Sequence, residues 1–320
     1  MPRTESRNYV APEIKTLSSY HGSRFESLKG FNSDRVIKLN PDYTVSSDNT
    51  ASTLSIAKAG TRFKGFGLEW ENVSTIAPNV GTTIYVNLLQ LMMDKAGFPA
   101  DFWRMESDCT VSAECITQTF TKSWLRNNYK CWKALYTLCE SFKVTTNSNR
   151  CGMHVNVDVS NFGGDKETQQ KNIRKLSYLI NRHYDFFCIA LHRDITNTGY
   201  CGQMSTSKDY WKSFNFETAT NDHYVSMNLS HVARQNRVEI RLVGGQKDYF
   251  GFRNTMEMIF HIIERVGKCS WDDLDDLEKV FKGCNSYVYK RLSTDCLNAG
   301  VIRQETVEKI FPTIKEVNYL

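Results

Sequence analysis

Four segments of this chain alternate, residue by residue, between apolar side chains and side chains that carry chemistry. Phe66, Leu68 and Trp70 alternate with Gly67, Glu69 and Glu71. Met153, Val155, Val157 and Val159 alternate with Gly152, His154, Asn156 and Asp158. Val225, Met227 and Leu229 alternate with Tyr224, Ser226 and Asn228, and Val238, Ile240 and Leu242 with Glu239 and Arg241. A period of two belongs to β-strands, whose successive side chains point to opposite faces. One apolar face per strand is the pattern of an antiparallel sheet that rests on a core through a single face. A solvated outer face usually carries Lys, Thr and Gln. These faces carry Glu-x-Glu, Gly-x-His-x-Asn and Glu-x-Arg instead.

The alternation predicts strands over 63–73, 151–159, 223–230 and 236–243, with an extended stretch at 102–118. Between them the apolar period lengthens to that of helices. A helix is predicted over 83–96, with Ile84, Leu88, Leu91 and Met92 as its stripe and Gly97 as its stop. A second spans 121–143 and carries Leu125, Trp132, Leu135, Cys139 and Phe142. A third spans 166–191, with Ile173, Leu176, Ile180 and Phe187, and a fourth spans 250–266 and ends at Gly267. The tail, about 268–320, reads as helical, with Ser270 the N-cap of the acidic turn Asp272–Asp273. Strands and helices mix without βαβ alternation, so the expected fold class is α+β with an antiparallel sheet. Residues 1–60 differ. They are rich in Ser, Thr, Asn and Asp with scattered aromatics, and read as an irregular N-terminal arm ahead of a body at 61–320.

Composition excludes several classes. Apolar residues make up 41% and charged residues 23% of the 320, enough for a sizeable core and too apolar for a disordered chain. The net charge of +5 is mild and permits an anionic ligand, but nucleic acid is not indicated. The ten cysteines lie between Cys109 and Cys296, form no C-x-x-C pair and have no zinc-finger spacing, so neither a disulfide scaffold nor a zinc module is expected. No signal peptide and no apolar run of membrane-spanning length is visible, and a reducing cytoplasm is the expected compartment.

The polar faces invite specific chemistry. Glu69 and Glu71, two apart on a strand, lie about 6.6 Å from each other and repel by about 2 kcal/mol at an effective dielectric of 20. A hard divalent cation such as Mg²⁺ or Mn²⁺ turns that repulsion into attraction. Gly152 leaves room beside His154 on the same face. Glu239 and Arg241 offer a carboxylate next to a guanidinium, whose planar fork suits phosphate. Arg193 follows the helix 166–191, where a cation complements the helix dipole. By spacing alone, Asp108 and Glu114 are ordinary acids.

In their order, these segments resemble the amidoligase family, relatives of glutamine synthetase and glutamate–cysteine ligase. The resemblance is carried by Phe66-Gly-Leu-Glu-Trp-Glu71, Glu106-Ser-Asp-Cys-Thr110 with Ala113-Glu-Cys-Ile-Thr117, Cys151-Gly-Met-His-Val-Asn-Val157, Arg193 with Tyr200, and Met227-Asn-Leu229 with Arg237-Val-Glu-Ile-Arg241. It covers about residues 63–265, and residues 1–60 lie outside it. It implies a glutamine synthetase-like catalytic domain in which the sheet curves into a half-barrel with helices outside. It implies that Glu69, Glu71, Asp108, Glu114 and Glu239 hold Mg²⁺, with Mn²⁺ as a substitute. His154 would contact metal or the γ-phosphate of ATP, Arg241 and Arg193 would hold phosphate, and Asn228 and Asn156 would help position it. Two departures stand out. Asn156 occupies a place where the family often has a second His, and Cys109-Thr110 replaces a small Gly-Ser-like pair.

The implied activity is ATP-dependent joining of a carboxylate to an amine through an acyl phosphate, with catalytic roles for Glu69, His154, Arg193, Glu239 and Arg241. The partners are then a carboxylate and an amine, free or on a peptide or protein. Two alternatives compete with it. One is a small-molecule kinase on the same fold. The other is a binding or structural protein that keeps the scaffold and attaches to a larger assembly through residues 1–60. The aromatic stretch Tyr210, Trp211, Phe214 and Phe216 is read as packing rather than as a lid.

Overall fold

The computed structural model describes residues 64–74, 82–98, 102–106, 111, 113–146, 151–196, 198–220, 222 and 224–310. The expected N-terminal arm at 1–60, Asp108, Cys109, Thr110 and the last ten residues lie outside them. The chain forms two compact units. The first runs up to Asp158 and takes in Gly245–Tyr249, and the second comprises Val159–Gly244 and everything from Phe250 onward.

In the first unit, strand β1 (Gly65–Ser74) is followed by helix α1 (Thr82–Ala96) and strands β2 (Trp103–Glu106), β3 (Ala113–Thr117) and β4 (Phe120–Thr121). Helices α2 (Lys122–Asn127) and α3 (Tyr129–Phe142) and strands β5 (Val144–Thr145) and β6 (Met153–Asp158) complete it. The sheet order is β2-β3-β1-β6, and β4 and β5 pair with the two ends of β1. Every pairing is antiparallel. The α+β class and the antiparallel sheet are as expected.

The strand parity also holds. Phe66, Leu68, Trp70, Met153, Val155 and Val157 are all buried. Trp70 joins an aromatic core with Trp103 (centroids 6.1 Å apart) and Tyr136 (6.4 Å), which Phe98 extends to Trp132 (5.1 Å). Aromatic packing of this kind carries much of a small unit's hydrophobic stabilisation. Helix α1 packs on α3. The buried face of α1 is Tyr85, Leu89, Met92, Met93 and Ala96, one position round from the expected stripe, and Leu91 is exposed. This helix is apolar on most of its circumference, so periodicity alone leaves its core face ambiguous.

The single helix expected over 121–143 is two. At Asn128 (φ −112°, ψ 15°) the backbone leaves the helical region, and the Asn128 side chain donates to the Trp124 carbonyl, 2.8 Å away. Asparagine side chains compete in this way with the helical ladder. Phe142, expected on the buried stripe, is exposed, and Lys143 ends α3 in the left-handed region.

The second unit contains helices α4 (Lys166–Arg182), α5 (Tyr184–Ala190) and α6 (Lys208–Ser213), then strand β7 (Met227–Asn228), helix α7 (His231–Gln235) and strand β8 (Arg237–Ile240). Helices α8 (Tyr249–Val266), α9 (Leu277–Phe281), α10 (Ser286–Arg291) and α11 (Gln304–Ile310) follow. Here too one expected helix breaks in two. His183 leaves the helical region, and its Nε2 lies 2.9 Å from the Leu274 carbonyl. The expected strands at 223–230 and 236–243 shorten to the hairpin β7–β8, in which Asn228 stands opposite Glu239. Asp165 caps α4, accepting from the Thr168 amide at 2.8 Å. Ser270 and Asp273 bond reciprocally, as the capping reading requires, around a 3₁₀ turn at Asp273–Asp275. The buried Lys175 ammonium donates to the carbonyls of Val266 (3.3 Å) and Cys269 (2.5 Å), satisfying the C-terminal end of α8. Trp211 and Phe216 are buried within a run of ring contacts with Tyr210 and Phe214, which makes this stretch part of the packing.

No helix among the described residues is long and apolar enough to cross a membrane.

Gly245, in the first unit, is held by its amide against the Cys151 carbonyl (3.2 Å), and a Cβ there would run into the Thr146 carbonyl. That carbonyl is part of the backbone and cannot swing aside, so Gly245→Ala should destabilise the first unit by about 3 kcal/mol or more in a denaturant melt, whereas Gly164→Ala, in open space, should change stability by less than about 0.5 kcal/mol.

Candidate metal centre and carboxylate–arginine cluster

The polar face of the first unit's sheet is not a wet surface. Glu71, His154, Asn156 and Asp158 are all buried, with Glu71 at 9% and His154 at 8% exposure. Strand register explains how they meet. Glu69 stands opposite His154, and Glu71 stands opposite Glu114. Directly opposed residues on antiparallel strands bring their Cβ atoms to within about 5.5 Å, close enough for like charges to oppose folding.

Glu71, Glu114 and His154 each offer a ligand atom, and these atoms lie within 4.8 Å of one another. Two carboxylates at that separation repel by about 3 kcal/mol at an effective dielectric of 20. The Glu71 carboxylate is fixed by the backbone amide of Gly152, which donates to it. Glycine at 152 thus does more than leave space: its backbone orients an acid. His154 Nε2 lies 3.8 Å from Glu71, and its Nδ1 lies 3.0 Å from Glu69.

Glu69, expected as a metal ligand, remains among the groups that could hold one and also makes two hydrogen bonds. One of its oxygens faces His154 Nδ1, and the other accepts from Asn156 Nδ2 at 2.9 Å. A carboxylate on one imidazole nitrogen fixes the tautomer and leaves the other nitrogen as a donor atom, an arrangement typical of metal-bound histidine. Glu69 therefore orients His154 here, and each of its oxygens keeps a lone pair with which it could also meet a cation. Asn156, where a second His was the comparison, serves the same carboxylate.

The donor set fits a hard divalent cation. Mg²⁺ or Mn²⁺ binds oxygen at about 2.1 Å, so donors on opposite sides of one ion stand about 4.2 Å apart. A set whose ligand atoms all lie within 4.8 Å of one another needs at most a small closure to reach that geometry. The same register yields a residue that sequence reading passed over. Glu106 on β2 stands opposite Glu114, placing three glutamate positions in line across β1, β3 and β2. Its only signal in the sequence was its place at the head of the Glu106-Ser-Asp segment.

The second unit builds a different cluster around Glu239, which is 3% exposed. Arg241 donates to one Glu239 oxygen in a very close ion pair. Asn228 Nδ2 donates to the other at 3.2 Å. His231 Nε2 lies 3.9 Å and Arg237 Nη1 4.0 Å from that second oxygen. One carboxylate thus faces two guanidiniums and an imidazole, so cationic groups outnumber anionic ones, a balance that suits an anion. His231 and Arg237 were not among the expected site residues, although Arg237 shares the Glu239 face by parity. Arg193 Nη2 donates to the carbonyls of Arg241 (3.1 Å) and Val243 (2.8 Å), while its Nε is buried without a hydrogen-bond partner. It braces the end of β8. Tyr200 is exposed and lies beside Tyr224, with centroids 6.0 Å apart.

The nine described cysteines are all free and buried. Burial pushes the thiols of Cys139, Cys188, Cys284 and Cys296 up to about 12, which keeps them protonated and unreactive at neutral pH. None of the nine is placed to act as a nucleophile.

Opposed carboxylates held together for a cation should behave as a strained pair without it. Glu71→Gln and Glu114→Gln each keep a hydrogen-bond acceptor and remove one charge. Each should leave the metal-free protein as stable as the parent or up to about 2 kcal/mol more stable in urea, while weakening Mn²⁺ binding about tenfold or more by electron paramagnetic resonance titration. Lower stability with unchanged Mn²⁺ affinity would instead make a protonated His154 the counter-charge.

No protein-family model matches the chain, and no curated protein sequence matches it.

Proposed function

We propose that this chain is a metal- and ATP-dependent ligase that joins a carboxylate to an amine. The observation that carries the reading is the opposed pair Glu71 and Glu114, with His154 alongside, on a buried sheet face. Folding keeps two acids in mutual repulsion there, and a resident cation is what makes that worthwhile. The excess of cationic groups around Glu239 supports an anionic co-substrate. The segments that resemble the amidoligase family contribute both clusters, and the reading includes that family's glutamine synthetase-like curved sheet.

A carboxylate does not condense with an amine unaided, because its oxygen is a poor leaving group. In the proposed reaction an oxygen of the substrate carboxylate takes the γ-phosphoryl group from ATP, and ADP leaves. The amine nitrogen then attacks the acyl carbon, the C–O bond to phosphate breaks, and the nitrogen loses a proton. Bound Mg²⁺ or Mn²⁺ would supply charge neutralisation for phosphoryl transfer. Glu71, Glu114 and His154 would hold it, and Glu69 and Asn156 would keep His154 in the ligating orientation. Arg241 would bind phosphate oxygens by exchanging its partner Glu239 for them, with Arg237 and His231 adding positive charge. Asn228 would keep Glu239 in place during that exchange. The cysteines have no part in this chemistry.

One observation favours a second reading, a binding or structural protein that keeps the scaffold. The phosphate-holding groups are already committed, Arg241 to Glu239 and Arg193 Nη2 to backbone carbonyls. A single assay separates the readings, with the full chain, Mg²⁺, ATP and pooled carboxylates and amines, following ADP and searching for amide products by mass spectrometry. A ligase yields ADP and amide in equal amounts, and Glu71→Gln or Arg241→Ala should lower both by about a hundredfold or more. ADP without amide would indicate the kinase alternative. Mn²⁺ binding with neither ATP binding nor turnover would leave the binding protein.

A further inference from the structure

Within the second unit a cavity of about 410 Å³ opens behind strand β7, inside the roughly 300–1,000 Å³ range of small-molecule sites. It is separate from the Glu239 cluster, because strand alternation divides the two. Asn228 turns toward Glu239, while its neighbours Met227 and Leu229 line the cavity. Both are almost completely buried and form its floor.

The walls are firmly held. Val225 is set by paired backbone bonds between Gly202 and its neighbours, from Gly202 N–H to the Tyr224 carbonyl (2.7 Å) and from Ser226 N–H to the Gly202 carbonyl (2.9 Å). Phe214 is fixed from behind by Arg174, whose Nε donates to its carbonyl at 2.8 Å. Arg174 also lies over the Phe216 ring, 5.2 Å from its centroid. Among the described residues, the only charged one lining the cavity is Asp222. Its carboxylate is oriented by the Tyr224 amide, which donates to Oδ1 at 2.8 Å. Tyr210 and Phe214 add aromatic surface, and Thr218 and Thr220 stand near the acid in sequence and also line the cavity.

An apolar floor, aromatic walls and one carboxylate make a complementary set for a cationic head on an apolar body. The carboxylate offers a charge-assisted hydrogen bond, and the aromatic surface offers a seat for the apolar body. An anionic ligand would meet the opposite of what it needs. We infer that this cavity binds a small organic ammonium ion, an alkyl- or arylalkylamine, with its charge at Asp222 and its body on Met227, Leu229 and Phe214. The site goes beyond the ligase reading and does not depend on it.

The test uses the full chain and three probes of similar shape, phenethylammonium, 2-phenylethanol and 3-phenylpropanoate, with binding followed by saturation-transfer NMR and calorimetry. Phenethylammonium should bind saturably, and the alcohol and the carboxylate about fivefold or more weakly, with the difference shrinking as salt rises. Asp222→Asn, an exposed position that should not disturb folding, should bring phenethylammonium down to the level of the alcohol. Ala219→Trp, which fills the cavity, should abolish binding of both. Equal binding of the three probes, no saturable binding by the parent protein, or full phenethylammonium affinity in Asp222→Asn would overturn the inference. The Asp222 variant also separates this cavity from any attraction of the cation to the acids of the first unit.

Discussion

The repulsion between Glu71 and Glu114 is the constraint around which the first unit is organised. Antiparallel register sets them face to face, and burial on a sheet surface strengthens their interaction compared with water. Glu71 is held by the Gly152 amide, which lies in the same strand pairing that brings His154 alongside. A buried arrangement with surplus negative charge is costly unless something positive completes it. His154 supplies part of the answer through its contact with Glu69. A cation among Glu71, Glu114 and His154 would supply the rest, and the proposed ligase reading includes one.

The two clusters have opposite electrostatic character. In the first unit three acids converge with one imidazole, which favours a cation. In the second unit one acid is surrounded by Arg237, Arg241 and His231, which favours an anion. A reaction that transfers a phosphoryl group with a metal's help uses both kinds of chemistry. Glu69 and Arg193 also make supporting contacts. Glu69 orients His154, and Arg193 braces the backbone that carries Arg241.

What was legible in the sequence was whatever is local. The alternation of Leu68 and Trp70 with Glu69 and Glu71 identified both faces of β1, and the same held for β6, because a strand's two faces are settled by odd and even positions alone. The cross-strand register was not legible. That Glu71 meets Glu114 and Glu106 lines up behind it depends on pairings between distant segments, which periodicity does not encode. The helix breaks at Asn128 and His183 were hidden for a related reason. Each coincides with a side-chain bond to a backbone carbonyl, one local and one reaching to Leu274. The buried face of α1 was misjudged by one position because apolar residues surround most of that helix.

The central claim is that Glu71, Glu114 and His154 bind one divalent cation. Anomalous diffraction from crystals grown with Mn²⁺ addresses it directly. The account predicts a manganese peak in the first unit within bonding distance of a carboxylate oxygen of Glu71, one of Glu114 and Nε2 of His154, with Glu69 still on Nδ1. Ordered side chains at these three residues with no manganese between them would contradict it.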